Sequence, residues 1–142
     1  MFVGTYYPRL DDKGRLTLPA KFREGLAGGV VVTKGPDRTL TVLTRDEFAD
    51  RAVRAVQASR ASEPGRAYLR NFTAGADEQV PDGQGRVTLT AAHRRYAGLT
   101  KECVVVGAYN WIEIWNLPAW QDFELTSEPA YSEANEPTAV TT

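Results

Sequence analysis

The chain of 142 residues is 42% hydrophobic and carries a formal net charge of −1, which favours one domain or two small units that share a core. It has no apolar run of the length needed to span a membrane and no signal-peptide pattern at its start, so we expect a soluble cytoplasmic protein. The charge is unevenly divided, because residues 1–75 hold 13 Lys/Arg and 8 Asp/Glu whereas residues 76–142 hold 4 and 10. The first half is therefore an expected anion-binding surface.

A charged turn and an alternating segment occupy residues 10–23, which read LDDKGRLTLPAKFR. Gly14 permits the positive φ of a tight turn, and the Asp11 carboxylate can accept from backbone N–H groups two residues on. That turn would aim Arg15 from the start of a strand, where its guanidinium can fork onto a phosphate or the O6/N7 edge of guanine. The alternative is an Asp11–Arg15 pair that only holds a hairpin together.

Two predicted strands and two predicted helices follow. The strands contain the apolar runs Val30–Val32 and Leu40–Val42. Thr44 and Glu47 form a capping box that opens the first helix. The sequence Glu-Pro-Gly at 63–65 ends it, and its proline suits the first turn of a second, shorter helix. The arginines of the first helix indicate a solvated face, with a nucleic-acid or subunit contact as the alternative.

The charged motif then recurs, because residues 81–94 read PDGQGRVTLTAAHR and seven of the fourteen aligned positions are identical. Chance would give about one match, so an internal duplication is the simplest explanation. In the second copy Val104–Val106 corresponds to Val30–Val32. Each unit reads β-α-β-β-α, and a unit this small buries too little apolar surface alone, so we expect the two to share a core.

These patterns predict an α+β fold that is mainly β. The first repeat would span 1–55, a helical connector 56–76 and the second repeat 77–125. The remaining residues, 126–142, are polar, acidic and spaced by prolines, which is typical of a disordered tail.

Several single residues of the second half bear on chemistry. Cys103 precedes a valine-rich strand, so we expect a buried thiol, with a reactive thiol as the alternative. His93 is expected to be structural or exposed, and one histidine with one cysteine cannot supply a usual zinc site, so we expect no metal and no cofactor. Trp111 and Trp115 alternate with Glu113, which places both tryptophans on one strand face for core or subunit packing.

These features bear on three classes of function. The sequence has no glycine loop for phosphates, no nucleophile elbow and no Ser/His/Asp set, so we do not expect an enzyme. A structural or protein-interaction module without DNA specificity is the alternative that the tryptophans favour. Both copies, however, keep the turn beside a strand, and the first adds the cations Arg9, Lys13, Lys21 and Arg23. Contact with DNA is therefore the preferred hypothesis.

Residues 1–23, MFVGTYYPRLDDKGRLTLPAKFR, resemble the opening of the MraZ family of bacterial transcriptional regulators. The segments FTAGADEQVPDGQGRVTLTAAHRRYAGL and IEIWNLPAWQDF are similar to that family's second repeat, so the resemblance covers roughly residues 1–124. It implies tandem SpoVT/AbrB-like domains built as swapped-hairpin-type units, and ring-shaped homo-oligomers. It also implies binding to short direct repeats in double-stranded DNA, upstream of the division and cell-wall gene cluster that includes the regulator's own gene.

The same resemblance implies a nucleoid-associated protein without a membrane partner or a small-molecule substrate. In that family Asp-x-x-x-Arg motifs contribute to DNA binding, and both copies here match the motif. The expected site comprises the DNA-contacting Arg9, Lys13, Lys21, Arg15 and Arg86 and the motif-orienting Asp11, Gly14, Asp82 and Gly85.

The second copy departs from the family pattern. Thr90 stands where proline is usual, and His93 stands where an apolar residue is usual. Gln84 also replaces the charge that Lys13 supplies in the first copy. We therefore expect the first repeat to dominate binding to phosphates.

Overall fold

The two repeats build the same order of elements in the computed structural model, which describes residues 1–137, except that the first repeat ends with one additional helix. The first repeat contributes β1 (Thr5–Tyr6), β2 (Arg15–Thr17), α1 (Arg23–Leu26), β3 (Val30–Lys34), β4 (Leu40–Thr44), α2 (Arg45–Ala61) and α3 (Glu63–Ala74). The second contributes β5 (Asp77–Gln79), β6 (Arg86–Thr88), α4 (Ala91–Tyr96), β7 (Cys103–Gly107), β8 (Ile112–Asn116) and α5 (Leu117–Glu133). Each repeat therefore opens with a short strand that the sequence did not predict.

Six strands form one antiparallel sheet in the order β1-β7-β8-β4-β3-β5. The repeats exchange their opening strands, since β1 pairs with β7 of the second repeat and β5 pairs with β3 of the first. Strands β4 and β8 join the two halves at the centre. The order is unchanged when the repeats are interchanged, so a pseudo-twofold axis passes between β4 and β8.

The remaining two strands, β2 and β6, form an antiparallel ribbon with one strand from each repeat. Leu16 pairs with Val87 in the middle of this ribbon, and both side chains are buried. Because side chains alternate across a strand, the residues on either side of this pair face away from the core.

One hydrophobic core fills the space between the ribbon, the six-stranded sheet and the short helices. It contains Leu16, Phe22 and Val32 from the first repeat and Val87 and Ile114 from the second. Residues of both repeats thus belong to one cluster, which confirms the expectation of a shared core.

The long helices α2, α3 and α5 pack against the central strands of the six-stranded sheet: α2 and α3 lie on β3 and β4, and α5 lies on β7 and β8. The Thr44 hydroxyl accepts from the Glu47 backbone N–H at 3.2 Å and opens α2, as the capping box predicts. Helix α3 follows after Ser62 and has a proline in its first turn. The two helices pack their aromatic rings together, with the Phe48 and Phe72 centroids 5.0 Å apart. The Thr33 hydroxyl ties α3 to β3 by donating to the Phe72 carbonyl at 2.7 Å.

Two predictions about this architecture are wrong. The fold is α+β but not mainly β, because α2, α3 and α5 span 17, 12 and 17 residues and exceed the eight strands of two to five residues together. The tail from residue 126 is helical through Glu133 instead of disordered.

The physical reason is the anchoring of α5. The Asn116 side chain caps it, and Trp120 and Phe123 pack against Trp115 with ring centroids 5.2 and 5.3 Å away. Once its first turn is formed, a helix gains one hydrogen bond for each residue added, and α5 continues to Glu133 although Pro129 supplies no N–H for such a bond. The predicted disorder of residues 138–142 lies outside the described residues. No helix within residues 1–137 is both long and apolar enough to cross a membrane.

Candidate nucleic-acid interface

The first charged turn is held by the carboxylate of Asp11. Its Oδ1 accepts from the backbone N–H groups of Lys13 at 2.9 Å and Arg15 at 2.8 Å. Its Oδ2 accepts from Arg15 Nε at 2.8 Å. Gly14 closes the turn with a φ of 76°, in the left-handed region that favours glycine. One aspartate thus fixes both the backbone and the arginine side chain.

The second turn repeats this arrangement. Asp82 Oδ1 accepts from the backbone N–H groups of Gln84 and Arg86, both at 2.9 Å, and Oδ2 accepts from Arg86 Nε at 2.7 Å. Gly85 has a φ of 75°. The duplication has therefore preserved the geometry of the turn as well as its residues.

The ribbon places both arginines on one surface. Arg15 lies opposite Thr88, and Thr17 lies opposite Arg86. Because Leu16 and Val87 point inward, these four side chains share the outward face of β2 and β6. We call Arg15, Thr17, Arg86 and Thr88 the ribbon face.

Each arginine is held at one nitrogen and remains available at the others. The side-chain hydrogen bonds of Arg15 and Arg86 within residues 1–137 use Nε only. The side chains are 29% and 26% exposed. A guanidinium fixed through Nε still presents terminal N–H groups in a planar fork, which matches the oxygens of a phosphate or the edge of guanine. The pair that holds the hairpin therefore also orients a donor.

Both aspartates are ionised across the physiological range. The Arg15 backbone N–H, followed by the Arg15 side chain, lowers the pKa of the Asp11 carboxyl below its usual range. The equivalent bonds from Arg86 lower the pKa of Asp82 to about 2. Hydrogen bonds donated to the charged form cause these shifts, so the turns keep their geometry at any neutral pH.

Hydrogen bonds from the opposite repeat hold each turn in place. The Leu18 N–H donates to the Gly85 carbonyl at 2.9 Å, and the Leu89 N–H donates to the Gly14 carbonyl at 2.8 Å. Arg23 Nη2 donates to the Gln84 carbonyl at 2.8 Å. These contacts lock the two turns to each other across the pseudo-twofold axis.

The close approach explains the glycine at position 85, because a Cβ there would overlap the Arg23 guanidinium. A Cβ at Gly14 would lie 3.2 Å from the Leu89 carbonyl oxygen and 3.4 Å from Arg94 Cζ, so the positive φ is the stronger reason for that glycine. Arg94 Nε is buried and has no hydrogen-bond partner within the described residues. Arg23 and Arg94 thus occupy matching places behind the motif of the other repeat, but among the described residues only Arg23 donates a side-chain hydrogen bond to the turn there.

The other expected cations are placed differently. Lys13 is exposed at the tip of the first turn, and Lys21 is exposed in the single 3-10 turn Ala20–Phe22 after β2. Arg9 pairs with Glu102 at 3.4 Å. Arg15 and Arg86 are likewise paired with carboxylates through Nε, so the salt bridge of Arg9 does not set it apart from them. Arg9 lies outside β2 and β6 and is not part of the ribbon face.

Side chains away from the ribbon have structural surroundings. Cys103 is buried, and burial raises the pKa of its thiol to about 11, as expected for a core residue. Trp111 and Trp115 both donate through Nε1 to the Glu113 carboxylate at 3.1 Å, which confirms that the three share one strand face. His93 is buried and donates through Nε2 to the Gly75 carbonyl at 2.5 Å.

Sequence reasoning missed Thr17 and Thr88 as members of the site. Their signal was present, since both are identical in the two copies and stand two positions from the motif arginines. Arg23 and Arg94, which lie behind the turns, are also identical in the two copies. What the sequence did not show is that the two motif strands pair with each other.

Relatives with this sequence pattern exist in several bacteria. Residues 1–71 and residues 72–141 each match the family model described as "MraZ protein, putative antitoxin-like". The chain is 60% identical to "Transcriptional regulator MraZ" of Corynebacterium glutamicum (strain R) over 136 residues, 96% of this chain and 95% of the relative. It is 60% identical to the protein of that name from Corynebacterium diphtheriae, over 94% of both chains. It is 58% identical to that of Mycobacterium avium (strain 104), over 96% of this chain and 95% of the relative.

Proposed function

The chain belongs to the MraZ family, and we propose that it is a transcriptional regulator that binds double-stranded DNA through the ribbon face. The observation that carries the proposal is the pairing of β2 with β6. It brings Arg15 and Arg86 onto one outward surface, each oriented by an ionised aspartate and each with terminal nitrogens that have no hydrogen-bond partner among residues 1–137.

A two-stranded antiparallel ribbon fits the major groove of B-DNA. Arg15 and Arg86 are diagonal neighbours in the ladder, a relation that separates residues by about 7–8 Å. That distance is close to two base steps at about 3.4 Å each. The two guanidinium groups can therefore reach separate phosphates or guanines, while the hydroxyls of Thr17 and Thr88 lie between them.

The proposal extends to assembly and target. A single ribbon face gives few contacts, so one chain alone would bind weakly. A ring-shaped homo-oligomer on short direct repeats would multiply such contacts by effective concentration. We propose that the repeats lie upstream of the division and cell-wall gene cluster, including the protein's own gene, and that the protein is cytoplasmic and nucleoid-associated. Exposed apolar side chains of α2 and α3, such as Val53 and Tyr68, offer surface for subunit contacts.

The repeats are best described as swapped-hairpin-type SpoVT/AbrB-like units at 1–55 and 77–125, joined by the connector 56–76. The exchange of opening strands supports this description, because β1 pairs with β7 of the second repeat and β5 pairs with β3 of the first. No catalytic activity is proposed, in keeping with a family of transcriptional regulators.

A protein-interaction module without DNA specificity is the second candidate. The observation that favours it is the exposure of Val53, Val56 and Tyr68 on the outer surface of α2 and α3. Such a module would assemble through these helices and would not require the ribbon face.

Fluorescence anisotropy on the DNA upstream of the protein's own gene distinguishes the two. We expect saturable binding to that fragment and at least tenfold weaker binding to a scrambled fragment of the same composition. Equal affinity for the two fragments, or no binding to either, would favour the interaction module.

A further inference from the structure

One pair of equivalent positions has two different environments. Phe22 of the first repeat matches His93 of the second, because PAKFR and TAAHR align. Phe22 packs edge-on against Phe2 and Tyr6, with ring centroids 5.2 and 5.3 Å apart. His93 is equally buried, at 4% exposure, but it lines a cavity of about 790 Å³. The second repeat therefore opens a space where the first is closed by aromatic rings.

The cavity is built by features that the first repeat lacks. The second copy has two extra residues after Arg95, and this insertion supplies Tyr96 to the cavity wall. The Tyr96 hydroxyl donates to the Gly35 carbonyl at 2.6 Å, which fixes the ring. The Arg38 guanidinium lies 4.8 Å from the centre of that ring. A cation–π contact of this kind holds Arg38 in place without neutralising it.

The lining is strongly basic. It includes four cations and one carboxylate, which are Lys34, Arg38, Arg70, Arg95 and Asp77. None of the four cations forms a salt bridge within residues 1–137. Four positive charges against one negative charge leave an excess of three. Like charges gathered in a concave site raise the local concentration of anions.

One further observation concerns a buried polar atom of a residue that lines the cavity. His93 Nε2 is bonded to the Gly75 carbonyl, whereas Nδ1 is buried and has no partner among the described residues. Buried polar atoms normally have one.

We propose that this cavity binds a small, multiply charged anion that carries phosphate groups. Guanidinium forks from Arg70 and Arg95 match phosphate oxygens, and the volume lies within the range of small-molecule sites. A phosphate group has several acceptor oxygens for these cations. The DNA backbone is the other source of the same chemistry.

Isothermal titration calorimetry with inorganic pyrophosphate tests the site on the full chain at fixed ionic strength. We expect saturable binding of one pyrophosphate per chain. The double variant Arg70→Gln/Arg95→Gln should bind it at least tenfold more weakly. The matched control Arg60→Gln/Arg66→Gln removes two exposed charges outside the cavity and should stay within twofold of the parent. Thermal melts of both double variants confirm that they fold.

Two results would overturn the proposal. The first is a calorimetric result: either the parent protein gives no saturable heat with pyrophosphate, or both double variants lose affinity equally. An equal loss would show that the anion is attracted by the overall charge and not by a specific site. The second concerns DNA, which is titrated in parallel without pyrophosphate. If Arg70→Gln/Arg95→Gln binds DNA at least tenfold more weakly than the control, the cations serve the DNA backbone instead of a free anion. Unchanged DNA affinity supports a separate anion site.

Discussion

At the scale of single residues, the Asp-x-x-x-Arg motif holds the turn through one nitrogen of its arginine, and the proposed DNA contact uses the other two. Asp11 and Asp82 each accept two backbone N–H groups and one Nε. The terminal nitrogens of Arg15 and Arg86 have no hydrogen-bond partner in the described part of the chain. The sequence predicts this turn because the aspartate side chain accepts from backbone N–H groups two residues on and the glycine supplies the positive φ that a tight turn needs. The two alternatives, a hairpin pair and a DNA contact, are therefore compatible.

The depressed pKa of Asp82 predicts a stability change in acid. The carboxyl has an ordinary pKa of 3.8 and a folded value of about 2. A group with a lowered folded pKa stabilises the fold above its unfolded pKa, and that contribution is lost as the pH falls through the folded value. The melting temperature of the parent should thus exceed that of Asp82→Asn above about pH 5, and the gap should narrow towards pH 2. A gap that is constant from pH 7 to pH 2 would contradict the assignment.

Gly85 and Gly83 provide a matched pair within one turn. Gly85 has a positive φ and Arg23 packed against it, whereas Gly83 has neither constraint. Gly85→Ala should therefore lower the free energy of unfolding by about 1–3 kcal/mol, the usual cost of an alanine in strained backbone. Gly83→Ala should leave it nearly unchanged. Urea titration of both variants measures the difference, and equal values would show that the turn tolerates a side chain at Gly85.

At the scale of elements, the local signals were reliable and the long-range pairing was not predictable. The Thr44 cap and the break before α3 follow from short-range chemistry. The exchange of β1 and β5 does not, because strands of two and three residues have too few side chains to show alternation. The predicted correspondence between the valine runs is also wrong by one position. Val30 pairs with Thr44 and Cys103 pairs with Asn116, so Val30 is equivalent to Cys103 and not to Val104.

Helix α5 gives a prediction about the acidic end of the chain. Its aromatic anchors, Trp120 and Phe123, lie before residue 127, and residues 128–137 are exposed. Deletion of 127–142 removes three glutamates, so DNA affinity should be unchanged or slightly higher and the melting temperature should be preserved. Anisotropy and thermal melts check both expectations. Marked weakening of DNA binding would show that this segment takes part in the complex.

At the scale of the whole molecule, the duplication produces a single fold from two repeats, each of which is too small to bury a hydrophobic core alone. The central sheet, the core and the ribbon each require a strand or side chain from both repeats. One consequence is that each chain presents two motif arginines as a single surface. A second is that the near-neutral net charge conceals a concentrated basic region, so binding at cellular salt depends on how many chains engage DNA together.

This view predicts a steep dependence on salt. If several chains together contact six or more phosphates, the affinity for operator DNA should fall by about a thousandfold between 50 and 200 mM salt. Each contact releases condensed counterions from the duplex, which causes the slope. Anisotropy titrations at four salt concentrations give the plot of log K against log salt. A flat plot would rule out phosphate contacts as the main source of affinity.

The most direct test compares Arg15→Ala with Arg86→Ala, since the duplication makes each a control for the other. Operator affinity is measured together with melting temperature and oligomer size by light scattering. We predict that both variants fold and assemble. Arg15→Ala should lose about 1–3 kcal/mol per engaged chain, and Arg86→Ala should lose less because Gln84 replaces the neighbouring lysine. Correctly assembled Arg15→Ala that binds the operator as tightly as the parent would contradict the assignment of the ribbon face.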